Sequence, residues 1–123
     1  MSRLTLDNLI EEIVKLVPEF KEHEDYKVFD IKDEEEKRFL LGVFGRFFKE
    51  RVEKYPIDDP VIQRVYQFLN QQFNDPAINK DVMDLLIIDI FENLSPYEKC
   101  MDVSRKLLTG KALEAFNVTA EYF

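Results

Sequence analysis

From Leu6 to Phe116, apolar residues recur every three or four positions, and little interrupts them. That spacing lines one side of an α-helix and does not suit the two-residue alternation of a half-buried strand. Three glycines and five prolines in 123 residues leave few places to turn. Helices are therefore long and connections short, which favours antiparallel neighbours. Val28 to Lys32 is the nearest thing to a strand. The chain reads as all-α, a compact bundle of five to six mostly antiparallel helices forming a single domain over residues 1–123. An apolar fraction of 46%, with eleven Phe and five Tyr, supplies a core and excludes a disordered chain.

Local signals place the helices. Leu6, Leu9, Ile10, Ile13, Val14 and Val17 mark the first, with Thr5 as expected N-cap and an end forced by Pro18. A short helical turn and then an extended segment follow, pinned to the core by Tyr26, Val28, Phe29 and Ile31. Asp33 and Glu36 form a capping-box pair opening a second helix to about Lys54. Its apolar face is Phe39, Leu40, Val43, Phe44, Phe47, Phe48 and Val52. Gly42 and Gly45 lie inside it, either to admit another backbone or because they are tolerated there. Arg51 interrupts this face, to be satisfied either by a snorkelling stem or by pairing with a carboxylate of the acidic stretch. Asp59-Pro60 opens a third helix, in which Gln72 interrupts the apolar side and is expected to cap a loop. A fourth spans about Asn79 to Leu94. Ser95-Pro96, with Glu98 following, opens a fifth, and Gly110 is a left-handed terminator. A last short helix covers about Lys111 to Asn117.

Charge is unevenly placed. Between Glu19 and Glu36 nine acids face three lysines, a net of −6 out of −8 for the chain. Such a field steers partners of opposite sign. Glu34, Glu35 and Glu36 suit the positive end of the second helix. The acids from Glu19 to Asp30, among them Glu22, Glu24, Asp25 and Asp30, remain for a partner. The acidic balance argues against nucleic acid, whose phosphates need compensating Lys and Arg. The longest apolar run, Leu85 to Ile88, is far too short for a membrane span, and the N-terminal sequence has no signal-peptide layout. With a single cysteine, these features point to the cytoplasm.

Chemistry is thinly represented. His23, the single histidine, reads as a solvated side chain. Cys100, weighed as a nucleophile with His23 as base, falls on a buried helical face. No phosphate loop, nucleophile elbow or di-iron Glu-x-x-His pair occurs. Asp30, Asp33 and Glu34 lack the order of a calcium loop. No catalytic residue, metal or cofactor is expected. The fourth helix is more informative. Leu85 and Ile88 fall among Asp81, Asp84, Asp89 and Glu92, opposite an arc of Val82, Met83, Leu86, Ile87, Ile90, Phe91 and Leu94. Two readings stand: a binding patch with apolar centre and charged rim (Asp84, Leu85, Ile88, Asp89, Glu92), or a central helix buried nearly all round.

The junction Leu85-Leu86-Ile87-Ile88-Asp89-Ile90-Phe91-Glu92-Asn93-Leu94, ending in Phe-Glu-Asn-Leu, follows a Phe-rich helix and a proline-started one. By helix pattern over residues 39–117, and by about ten residues of motif, the chain resembles small acidic all-helical bacterial proteins, some of which resemble immunity proteins of polymorphic or contact-dependent toxin systems. The resemblance implies a non-catalytic protein that neutralises a toxin by binding it, and many toxic nucleases are basic. The alternative expectation is a scaffold module, self-associating as a homodimer through the fourth helix.

Overall fold

The computed structural model describes residues 4–28 and 33–122, and these form an all-α fold. Helices α1 (Leu9–Leu16) and α2 (Glu24–Lys27) flank a 3-10 turn (Pro18–Glu22). The long α3 (Glu34–Lys54) and the proline-started α4 (Pro60–Phe73) follow. Helix α5 begins as Lys80–Leu86, passes through a π-helical turn at Ile87–Phe91, and ends as Glu92–Leu94. The chain finishes with α6 (Glu98–Leu107) and α7 (Gly110–Tyr122).

Helix α3 is the central element, touching α1, α2, α4, α5 and α6. Asp33 caps it by accepting from the amides of Glu35 and Glu36, at 3.0 and 3.2 Å. Lys99 closes its other end by donating to the carbonyls of Glu53 and Tyr55, the charge that a helix C-terminus favours. Two aromatic runs fill the interior. Phe20, Phe44, Phe48 and Tyr66 form one, and Phe73, Phe91 and Phe116 the other. Helix α1 is tied to α3 by the buried Lys37, whose Nζ lies 2.8 Å from Glu11 and also donates to the Asp7 carbonyl. Glu11 holds the Lys37 ammonium above its ordinary pKa, against the effect of burial.

Several local expectations change. Thr5 does not cap α1, which starts at Leu9; the Thr5 amide donates instead to Asn8. Val28 is 74% exposed and so pins nothing. Phe29, Asp30 and Ile31 lie outside the described residues. Arg51 pairs with Asp59, at 2.9 and 3.1 Å, and not with the acidic stretch. The same Asp59 caps α4 through the amides of Val61 and Ile62. One carboxylate thus satisfies both a guanidinium and a helix start, which a more distant acid could not do. Ser95 caps nothing: its hydroxyl is buried without a hydrogen-bond partner, and α6 begins at Glu98. Asn70 and Asn74, not Gln72, clamp a loop. Asn70 bonds the Leu107 carbonyl and the Thr109 amide, while Asn74 bonds the Thr109 carbonyl and the Lys111 amide. Gly110 sits inside that clamp at φ +53°, the left-handed geometry glycine adopts without cost. Helix α7 runs on to Tyr122, beyond the expected end at Asn117.

Candidate functional site

The geometry of α5 begins with its capping and its seam with α3. Asn79 accepts from the amides of Asp81 and Val82. Val82, Leu86, Ile90, Phe91 and Leu94 are buried. The helix meets α3 closely: a methyl group on Gly45 would overlap the Asp89 carbonyl oxygen and stand 2.7 Å from the Asn93 side-chain nitrogen. Gly45 is therefore required by a backbone approach, as one of the two expectations had it. At the contact the Asn93 side-chain amide donates to the Asp89 carbonyl at 2.7 Å. This is the carbonyl that α-helical geometry would offer to the backbone amide four residues on. The π-helical turn, with its wider ring, occupies the same place.

On its other side α5 faces outward. Ile88 is 51% exposed, Leu85 and Asp89 are half-buried, and Asp84 is exposed. Helix α5 is therefore not buried all round. It runs alongside α3 in the same direction. Arg38 shares a cleft with Asp84, Gly42 faces the Asp89 carboxylate, and Arg46 shares a cleft with Asn93. All of α4 intervenes in sequence, which lets these two run parallel.

Phe39 overturns its expected burial. It was placed on the apolar face of α3 but is 66% exposed. At 100° per residue it lies near Glu35, Gly42 and Arg46 and well away from Phe44 and Phe48. Its hydrophobicity suggested the core, whereas its angular position could have revealed the exposure. Phe39, Glu35, Arg38, Leu85 and Asp89 line a surface cleft of about 460 Å³. Adjoining clefts share Phe39 on one side, and Arg38 and Leu85 on the other. The result is a continuous surface with Phe39 and Leu85 as apolar members, and Ile88 is exposed one turn along α5 from Leu85.

Like most charged side chains of this protein, those lining this surface join no ion pair among the described residues. Among the described residues, ion pairs join Lys15 to Glu12, Lys37 to Glu11, Arg51 to Asp59, and Arg64 to Glu19. Glu35, Asp84, Asp89 and Glu92 are in none of them, nor are Arg38 and Arg46. Burial, and then the charge of Glu92, raise the pKa of Asp89 above the ordinary aspartate value.

The acids near the N-terminus form a separate group. Glu22, Glu24 and Asp25 are exposed on the turn and on α2. Phe20 and Tyr26 anchor this segment edge-to-face, and Phe20 also contacts Phe44 and Phe47. Phe47 is five residues from Gly42, roughly 140° round α3. The structure therefore does not bring Glu22, Glu24 and Asp25 together with Asp84, Leu85, Ile88, Asp89 and Glu92. Asp30 lies outside the described residues. Glu19 is engaged by Arg64, which also bonds the Leu16 carbonyl.

His23 and Cys100 are not joined either. The His23 ring packs against Phe47 and accepts the Asp25 amide at 3.2 Å. The Cys100 thiol, buried, donates to the Lys49 carbonyl at 3.7 Å, and burial pushes its pKa up to about 11. Among the described residues, no group of three or more His, Cys, Asp or Glu is arranged to hold a metal ion. No helix among them is long and apolar enough to cross a membrane. No protein-family model, curated protein or solved structure matches the chain.

Proposed function

We propose that this chain is a non-catalytic cytoplasmic binding protein that holds a basic protein against its α3/α5 surface, in the manner of an immunity protein neutralising a toxin. The observation that carries the reading is the coincidence of exposed Phe39 and Ile88 with the unpaired carboxylates of Asp84, Asp89 and Glu92. An apolar centre beside a charged rim is the usual composition of a protein interface. The net charge of −8 favours a cationic partner and speeds its encounter. Glu22, Glu24 and Asp25 contribute to that long-range field without joining the surface.

The test is co-purification with the product of the neighbouring reading frame. A double variant, Phe39→Asp with Ile88→Glu, should lose the partner while keeping its helical circular dichroism. Full retention of the partner by the folded double variant would remove this surface from the account. A second reading, self-association through α5, is favoured by the same exposed Ile88. It expects a wild-type dimer in sedimentation that Ile88→Glu makes monomeric; a monomeric wild type sets it aside.

A further inference from the structure

We propose that the cleft between Glu35, Phe39, Leu85 and Asp89 is a receptor for one arginine side chain presented by a protein partner, with the guanidinium on the Phe39 ring and paired to Asp89. The proposal rests on the reading that the α3/α5 surface binds protein, and it names the chemistry of what is bound there.

The chain contains its own template. The Arg51 guanidinium lies 3.9 Å from the centre of the Tyr55 ring and pairs with Asp59 through two bonds of 2.9 and 3.1 Å. An aromatic face and a carboxylate together satisfy the cation, since a planar guanidinium can stack and pair at once. The α3/α5 cleft repeats the aromatic face and the carboxylate, and among the described residues no cation pairs with that carboxylate. Phe39 is largely exposed. Asp89 is half-buried and joins no ion pair among the described residues, and burial together with Glu92 makes its ionised form costly. An incoming cation relieves that cost.

Shape agrees with chemistry. Gly42 lies beside the carboxylate, where a methyl group would sit in ordinary contact, 3.5 Å from its Oδ1. Leu85 offers an apolar wall to the aliphatic stem of an arginine. Glu35 lines the same cleft and adds a second negative charge. The about 460 Å³ of space is ample for one long side chain. Arg38, the single cation lining the cleft, makes no ion pair among the described residues. It is exposed and opposes an entering cation.

The experiment titrates the full chain with N-acetyl-arginine N-methylamide, followed by NMR of the Phe39 ring and the Gly42 and Asp89 amides. The control ligand is the citrulline analogue, which has the same shape and no charge. The expected result is saturable shifts at these three residues, at about millimolar dissociation constant, with no comparable response to citrulline. Asp89→Asn should weaken binding by about tenfold, and Arg38→Ala should tighten it about twofold. Phe39→Leu gives an independent check should Asp89→Asn fail to fold, and it too should weaken binding. Absence of saturable shifts, an equal response to citrulline, or unchanged binding in folded Asp89→Asn or Phe39→Leu overturns the proposal. The two readings fail separately. If Phe39→Asp with Ile88→Glu loses the partner protein but the arginine amide does not bind, the arginine receptor alone falls. If the amide binds as described while that variant keeps its partner, the receptor stands and the functional reading falls.

Discussion

Gly42 and Gly45 are three residues apart on one helix and answer to different constraints. A Cβ at Gly45 collides with the Asp89 carbonyl, a backbone atom that cannot yield without moving α5. A Cβ at Gly42 meets the Asp89 carboxylate at an ordinary 3.5 Å. Gly45→Ala should therefore destabilise the fold by about 3 kcal/mol, whereas Gly42→Ala should stabilise it by up to about 1 kcal/mol through helix propensity. Urea denaturation of the pair decides this, and equal effects would refute the backbone contact at Gly45. The sequence left both glycines open between close approach and tolerance, because nothing local says which neighbour comes near. Cys100 gives a second residue-scale expectation. With its pKa pushed up to about 11 by burial, it is a thiol at neutral pH. It should react with a thiol reagent far more slowly in the folded chain than in denaturant.

At the scale of elements, the turn between α3 and α4 hangs on one carboxylate. The Arg51 bond, opposed by burial and helped by the Ile62 and Val61 amides, holds Asp59 below the ordinary aspartate pKa. A lowered folded pKa means stability that is fully present above the unfolded value. It is lost as pH falls through the folded one. Asp59→Asn should cost about 3 kcal/mol at pH 7, and that cost should shrink as pH falls below about 4. Asp89 has the opposite sign, because its folded pKa is raised. Its ionisation weakens the fold as pH rises through that value, so Asp89→Asn should match wild type in strong acid and exceed it at neutral pH. Chemical denaturation from pH 3 to 7 checks both, and parallel curves would contradict them. Most of these elements were legible. Asp33 and Asp59 each cap where a short polar side chain precedes an apolar helix. Ser95 was misread because its cap pattern is local, while burial beneath the turn is not. The Asn70 and Asn74 clamp on the start of α7 was not legible, because its partners lie far off in sequence.

The whole molecule carries −8, and long-range charge acts on encounter more than on the bound state. Reversing Glu22, Glu24 and Asp25 to Lys together should slow association with a basic partner and flatten its salt dependence, with dissociation nearly unchanged. Phe39→Asp and Ile88→Glu should instead speed dissociation. Surface plasmon resonance across ionic strengths separates the two. A triple reversal that acts only on dissociation would mean those acids lie within the contact.

Periodicity by itself determined that this chain is all-α and which side of most helices is buried, because a helix face is set by spacing along one strand of chain. The same local logic located the caps at Asp33 and Asp59, the left-handed glycine and the acidic start of α3. Tertiary structure alone decided that α3 and α5 run side by side, and with that pairing came the surface. It put Phe39 beside Leu85 and Asp89, left Ile88 uncovered, and separated Glu22, Glu24 and Asp25 from them. The reason is physical: exposure depends on which helix arrives across the gap, and residues some fifty positions away supply it. The wheel could have hinted at Phe39, but only the packed chain brings an aromatic ring and an unpaired carboxylate to the same cleft.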